Sequence, residues 1–148
     1  GAALPELRRH AAADPALAVR FLPHGSVAAA RRAMAAAELC LVSLAPGVHR
    51  YAYPSKAVTA LREGRPLLVA VEPESALAEF VRSRGCGVVF APGDVDGAVA
   101  GLEALLDDPR RLRALEAGAQ RVAREELDPE AVLDRWSALL REVAAVPA

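Results

Sequence analysis

Blocks of consecutive apolar residues alternate with blocks in which apolar residues return every three or four positions. Ala18-Val19-Arg20-Phe21-Leu22, Glu38 to Ser43, Pro66 to Val71 and Gly87 to Phe90 are short, nearly unbroken apolar runs. That pattern predicts strands buried on both faces of a parallel sheet. The other segments carry the helical period. Leu4 to Ala13 sets Leu4, Leu7 and Ala11 on one face, and Asp14-Pro15 stops it. Ser26 is placed to cap a helix from Val27 to about Ala37. Pro54 opens a helix that runs to Arg62, and Gly64 suits the position just past its end. Pro73 to Ser83 turns Leu77, Phe80 and Val81 inward. Asp94 and Asp128 cap helices from Val95 to Leu106 and from Pro129 to Ala144, with another helix from Pro109 to Glu125 between them. In the last helix Val132, Leu133, Trp136, Leu139, Leu140 and Val143 fall on one stripe, with Trp136 as a core anchor or a contact to another domain.

Four strands alternating with helices predict an α/β fold: a Rossmann-like parallel sheet with right-handed crossovers and helices on both faces. Nothing divides the chain, so residues 1–148 are expected to form one domain. The chain opens with a helix, and four strands make a thin sheet. Together with the start at Gly1-Ala2-Ala3, this leads to the expectation of a domain cut from a longer protein and lacking an N-terminal strand or two.

Composition narrows the function classes. Hydrophobic residues make up 53% of the chain but aromatics only 4%, so the core is expected to be rich in alanine, with helices close against the sheet. The net charge of −1 supplies no broad field for nucleic acid, and the arginine pairs read as solvated helix faces. No apolar stretch has membrane-spanning length. Cys40 and Cys86 lack metal or disulfide spacing and read as small buried hydrophobes, which fits a reducing cytoplasm.

Candidate chemistry gathers where a strand runs into a helix. After the strand ending at Ser43, Pro54-Ser55-Lys56 opens a helix at the carboxyl edge of the sheet. There, free N–H groups and the helix dipole favour an anion. Ser55 and Lys56 add a hydroxyl and an ammonium; the plainer reading is an ordinary helix start with an exposed lysine. His49, Arg50, Tyr51 and Tyr53 crowd the preceding loop, either as ligand contacts or as a surface loop packing its own tyrosines. Glu72 and Glu74 flank Pro73; their expected place is the turn and first helical turn, where the dipole favours negative charge, rather than acid–base catalysis. No nucleophile triad, metal cluster or complete Walker loop is present.

Taken in order, several blocks resemble the C-terminal half of GT-B glycosyltransferases of the retaining family 4, or group 1. Val19 to Gly25 resembles the family's "V-x-F-L-G" strand and turn, and Ala36 to Leu44 its "A-D-h-h-h-x-P-S" strand. Pro54-Ser55-Lys56 with Gly64 to Ala70 resembles "P-S-K … A-x-G-x-P-V-V-A", and Gly85 to Asp94 resembles "G-x-G-h-h-h-x-P-G-D". The likeness implies a domain that binds a nucleotide diphosphate-sugar, itself the substrate, with no further cofactor and no metal. It also implies transfer with retention to a glycan or lipid-linked acceptor held by an absent N-terminal domain. Isolated, the domain is expected to be inactive. The implied location is cytoplasmic, and the likeness allows the full protein to associate peripherally with the inner face of the membrane.

By the same likeness Pro23, His24 and Gly25 border the base, Thr59 faces the ribose, Ser55 and Lys56 face the phosphates, and His49, Arg50, Tyr51 and Tyr53 line the sugar pocket. One departure stands out. The family's two glutamates, eight positions apart, fall here on Tyr51 and Thr59. Thr59 cannot make the charge-assisted bidentate contact to a ribose. That substitution keeps two other readings open: a non-catalytic GT-B relative acting as a binding or scaffold subunit, and a nucleotide-sugar epimerase of the same architecture. No catalytic residue is assigned.

Overall fold

The computed structural model describes residues 3–14 and 16–145. Helix α1 (Leu4–Ala13) and helix α2 (Val27–Ala35) precede strand β1 (Cys40–Ser43). Helix α3 (Ser55–Arg62) leads to β2 (Leu67–Ala70), and helix α4 (Ala76–Arg84) to β3 (Gly87–Phe90). Helices α5 (Val95–Asp107), α6 (Pro109–Glu125) and α7 (Pro129–Ala144) complete the chain. The three strands form one parallel sheet in the order β1-β2-β3, with Cys40 opposite Leu67 and Leu67 opposite Gly87. The domain is therefore α/β, a small open parallel sheet surrounded by helices, consistent with a Rossmann-like fold.

Caps fix the helix ends much as the residues predict. Ser26, Asp94, Asp108 and Asp128 each accept hydrogen bonds from backbone N–H groups of the helix they start. Helix α4 starts later than its apolar spacing suggests, because the Ser75 hydroxyl accepts from the Ala78 N–H and leaves Pro73 and Glu74 in the preceding turn. Two helices end in the same way. Gly64 takes a φ of +70°; its N–H donates to the Leu61 carbonyl, and the Arg65 N–H reaches back to Ala60. Gly85 takes a φ of +58°, with matching bonds from Gly85 to Arg82 and from Cys86 to Val81. These left-handed turns close the last helical carbonyls and aim the chain into β2 and β3.

One face of the sheet is the core. Val42, Leu67 and Val69 are buried there against Ala57, Ala60 and Leu61 of α3, Leu77, Ala78 and Val81 of α4, and Ala119 and Val122 of α6. Small residues let the backbones close. A Cβ added to Gly118 would stand 2.1 Å from the Gly85 carbonyl oxygen, so α6 lies directly against the turn between α4 and β3. Arg65 pairs with Glu116 at 2.8 Å, and the Arg121 guanidinium donates to the Arg84 carbonyl at 2.8 Å. Helix α6 thus grips the ends of both α3 and α4.

Three expectations need correction. No ladder forms over 18–22, so the sheet has three strands among the described residues rather than four; the one paired edge of β1 belongs to β2, and Val19 and Leu22 are exposed. The strands are not buried on both faces throughout: Leu41 is 66% exposed, because α5 covers the second face beside β3 and leaves it open over β1. Trp136 is no core anchor, being 59% exposed along with Leu133, Leu140 and Val143 on the same stripe. Leu4 and Leu7 are also exposed, so α1 buries no residue. Pro15, the expected stop of α1, lies outside the described residues.

Cys86 is fully buried, and burial pushes its thiol up to about 11. It should resist alkylation at pH 8 in the native protein and react once denaturant unfolds it, which a thiol-reagent time course measures. Gly118→Ala must push backbone from backbone. It should cost about 1–3 kcal/mol, read as a lowered urea midpoint with an unchanged slope.

Candidate functional site

The carboxyl edge of the sheet carries the loops that follow β1, β2 and β3. A crevice of about 300 Å³ opens there, lined by Leu41, Val42, Ser43 and Leu44 of β1 and its end, and by Pro54, Ser55 and Lys56 at the start of α3. Its wall is mixed, with apolar strand residues on one side and a helix start on the other. Helix α3 differs from α2, α4, α5, α6 and α7 in having no side-chain cap, because proline occupies the cap position. The Ala57 N–H is satisfied by the Pro54 carbonyl, while the N–H groups of Ser55 and Lys56 make no hydrogen bond among the described residues. They are the orphan donors that every helix start leaves, here at the edge of a cleft. Lys56, the one lysine in the sequence, is exposed and has no carboxylate partner among the described residues. That singularity in an arginine-rich chain is a signal the sequence already carried.

Thr59 lies one turn further along. Its hydroxyl donates to the Ser55 carbonyl at 2.9 Å, and it does not line the crevice. The hydroxyl proton is committed to the helix, leaving the oxygen lone pairs as acceptors.

Pro23 and Gly25 line a separate apolar cleft of about 460 Å³, walled by Leu22 and by Ala29, Ala30, Ala33 and Met34 of α2. The His24 side chain is exposed and is not part of its lining. This cleft shares no lining residue with the crevice at α3, so the two groups of predicted contacts occupy distinct hollows.

The loop between β1 and α3 contains a short 3-10 turn, Val48–Arg50. Arg50 and Tyr51 border a shallow hollow of about 210 Å³ with Pro46, Gly47 and Val48. Tyr51 is 89% exposed and Tyr53 half exposed, which leaves both rings presented outward. His49 turns the other way. Its Nδ1 lies 2.8 Å from Oε2 of Glu72, and both side chains are largely shielded from solvent. The contact is close but is not an aligned hydrogen bond, and both atoms are buried without a hydrogen-bond partner.

Glu74, expected in the first turn of α4, lies in the turn before it, and Glu72 makes a contact that sequence reasoning missed. Glu72 belongs to no helical turn; α4 starts at Ala76, and Glu72 follows the end of β2. Its Oε1 accepts from the Gly47 N–H at 2.5 Å, across the sheet edge from the loop after β1. The Gly47 N–H above all, then Glu72's own N–H, hold its carboxyl below the ordinary value; partial burial opposes them, and His49 adds to the lowering. No local pattern links a glycine to a carboxylate 25 positions away; only the parallel pairing of β1 with β2 brings them together. Among the described residues no group of three His, Cys, Asp or Glu side chains could hold a metal ion, and no helix is long and apolar enough to cross a membrane.

Comparison with models of known protein families, with curated proteins and with solved structures yields no match. The functional reading is therefore carried by the site and by the motif likeness alone.

The lowered carboxyl of Glu72 gives a pH dependence of known sign. A group with a depressed folded value stabilises the fold above its unfolded value, 4.5 here, and loses that contribution as pH falls through the folded one. Between pH 6 and strongly acid conditions, the loss of urea stability should be smaller for Glu72→Gln than for the unsubstituted protein. Equal acid sensitivity of the two would contradict the contact.

Proposed function

We propose that this chain is the donor-binding domain of a glycosyltransferase of GT-B architecture. On this reading it holds a nucleotide diphosphate-sugar for transfer, with retention, to a glycan or lipid-linked acceptor. The observation that carries the reading is the uncapped start of α3. Free N–H groups of Ser55 and Lys56, the Ser55 hydroxyl and the Lys56 ammonium stand at a crevice on the carboxyl edge of a parallel sheet. The order of motifs along the chain supports it.

In this scheme the bond from the anomeric carbon to the diphosphate breaks, and charge gathers on the departing phosphate oxygens. Donors fixed before the reaction stabilise that charge without reorganisation. Ser55 and Lys56 supply them. Pro23 and Gly25, with the apolar wall of α2, offer an apolar cleft to a base, and the exposed His24 lies between them in the chain. Arg50, Tyr51 and Tyr53 present polar and aromatic groups toward a sugar, and Thr59 offers a ribose only its hydroxyl oxygen. The acceptor side of the reaction belongs to a partner domain.

Two observations favour a second reading. The Thr59 hydroxyl is turned back on the helix, and Tyr51 stands where a sugar-binding carboxylate is expected. A binding or scaffold subunit of the same architecture would lose those carboxylates without penalty.

Calorimetric titration with uridine, guanosine, adenosine and thymidine diphosphates separates the two. The donor reading expects saturable binding to at least one of them. It also expects Lys56→Ala to weaken that binding about tenfold to a hundredfold, the worth of a hydrogen bond to a charged group. No binding at millimolar ligand would favour the scaffold.

A further inference from the structure

The loop between β1 and α3 departs at Leu44 and returns at Pro54, and both of those residues are walls of the α3 crevice. The loop thus spans from one wall of the crevice to another; the Leu44 N–H donates to the Ala70 carbonyl and the Pro54 carbonyl accepts from the Ala57 N–H, which leaves residues 45–53 between them to be held separately. Inside the loop the backbone bonds are all short-range: Val48 to Ala45, Arg50 to Gly47, and Tyr51 and Ala52 to Val48. Among the described residues a single side chain ties residues 45–53 to another element by hydrogen bond or close polar contact, and that side chain is Glu72. Both of its oxygens are engaged, Oε1 by the Gly47 N–H and Oε2 by the His49 ring. Gly47 meets it from a φ of +79°, a conformation that side-chain-bearing residues rarely adopt.

We propose that Glu72 is a positioning residue for the anion crevice: by gripping Gly47 and His49 it fixes the loop whose two ends wall that crevice. The proposal rests on the donor-site reading above. A loop already ordered costs a ligand no further conformational entropy on binding, whereas a released loop must be ordered by the ligand itself. Glu72 touches no ligand in this scheme. It acts through Gly47, and it explains why His49, unlike its neighbours Arg50 and Tyr51, is directed inward.

The test combines amide hydrogen exchange over residues 45–53 with calorimetric titration of the protein by the nucleoside diphosphate it binds best. That ligand lacks the sugar to be transferred, so a contact between His49 and that sugar cannot contribute to the result. Glu72→Ala should speed exchange at Gly47, Arg50 and Tyr51 at least tenfold, leave β2 protected, and weaken diphosphate binding about tenfold. Glu72→Gln keeps an oxygen for the Gly47 N–H and should restore most of both properties, a rescue that general destabilisation would not show.

Unchanged exchange in the loop, or a freed loop with unchanged affinity, overturns the proposal and leaves the donor reading standing. Failure of the unsubstituted protein to bind any diphosphate overturns both together. If Glu72→Ala also loosens β2, His49→Ala carries the test, because alanine offers Glu72 no donor and the substitution spares the strand. Unaltered diphosphate affinity in that variant then overturns the proposal.

Discussion

Contact between the backbone of α6 and the turn that joins α4 to β3 is the constraint on which the rest of the structure depends. Gly118 faces the Gly85 carbonyl with no room for a methyl group, and Ala119 beside it is fully buried. From that fixed point α6 reaches both strand-forming turns, through Arg121 to the Arg84 carbonyl and through Glu116 to Arg65. The strands are only four residues long. Their ladders alone would define register poorly, so a helix that locks the turns feeding β2 and β3 also locks the sheet. Close backbone approach needs glycine and alanine on several helices at once, which accounts for a core low in aromatics.

Once β1 and β2 are in register, their carboxyl ends lie side by side, and the chemistry of the edge follows. The two ends do different work. After β1 the chain makes a loop and then a helix start without a side-chain cap, which leaves donors free. After β2 it places a carboxylate that uses its acceptors on the neighbouring loop rather than on solvent. A cation and free amides stand at the crevice, while the nearby negative charge of Glu72 is occupied by Gly47 and His49.

Much of the apolar surface predicted to be buried is open. Leu41 on the second face of the sheet and the stripe of α7 remain exposed. Arg135 ties α7 to the last turn of α6 by donating to the carbonyls of Glu125 and Glu126, which fixes where the helix begins without burying its apolar side. Amphipathic spacing thus predicted the face that α7 would prefer to bury; it carried no information on whether a partner surface lies within reach.

The sequence by itself determined the elements that depend on near neighbours. The bounds of α1, α6, α7 and β3, the caps at Ser26, Asp94 and Asp128, and the left-handed turn at Gly64 arise from interactions a few residues apart, so they are legible in order along the chain. The start of α3 was legible to within one residue for the same reason, with Pro54 standing just before the helix rather than in its first turn. Tertiary structure decided what depends on distant partners. Residues 18–22 have strand composition but no ladder, since a strand exists only beside another strand. Ser75 set the start of α4, where apolar spacing pointed to Pro73, because a cap outweighs periodicity at a helix end. Glu72 acquired its role from Gly47 and His49, which are remote in sequence and adjacent only because β1 and β2 run parallel. Local hydrogen bonding is written in the order of residues, whereas burial and long-range pairing are properties of which surfaces the folded chain brings together.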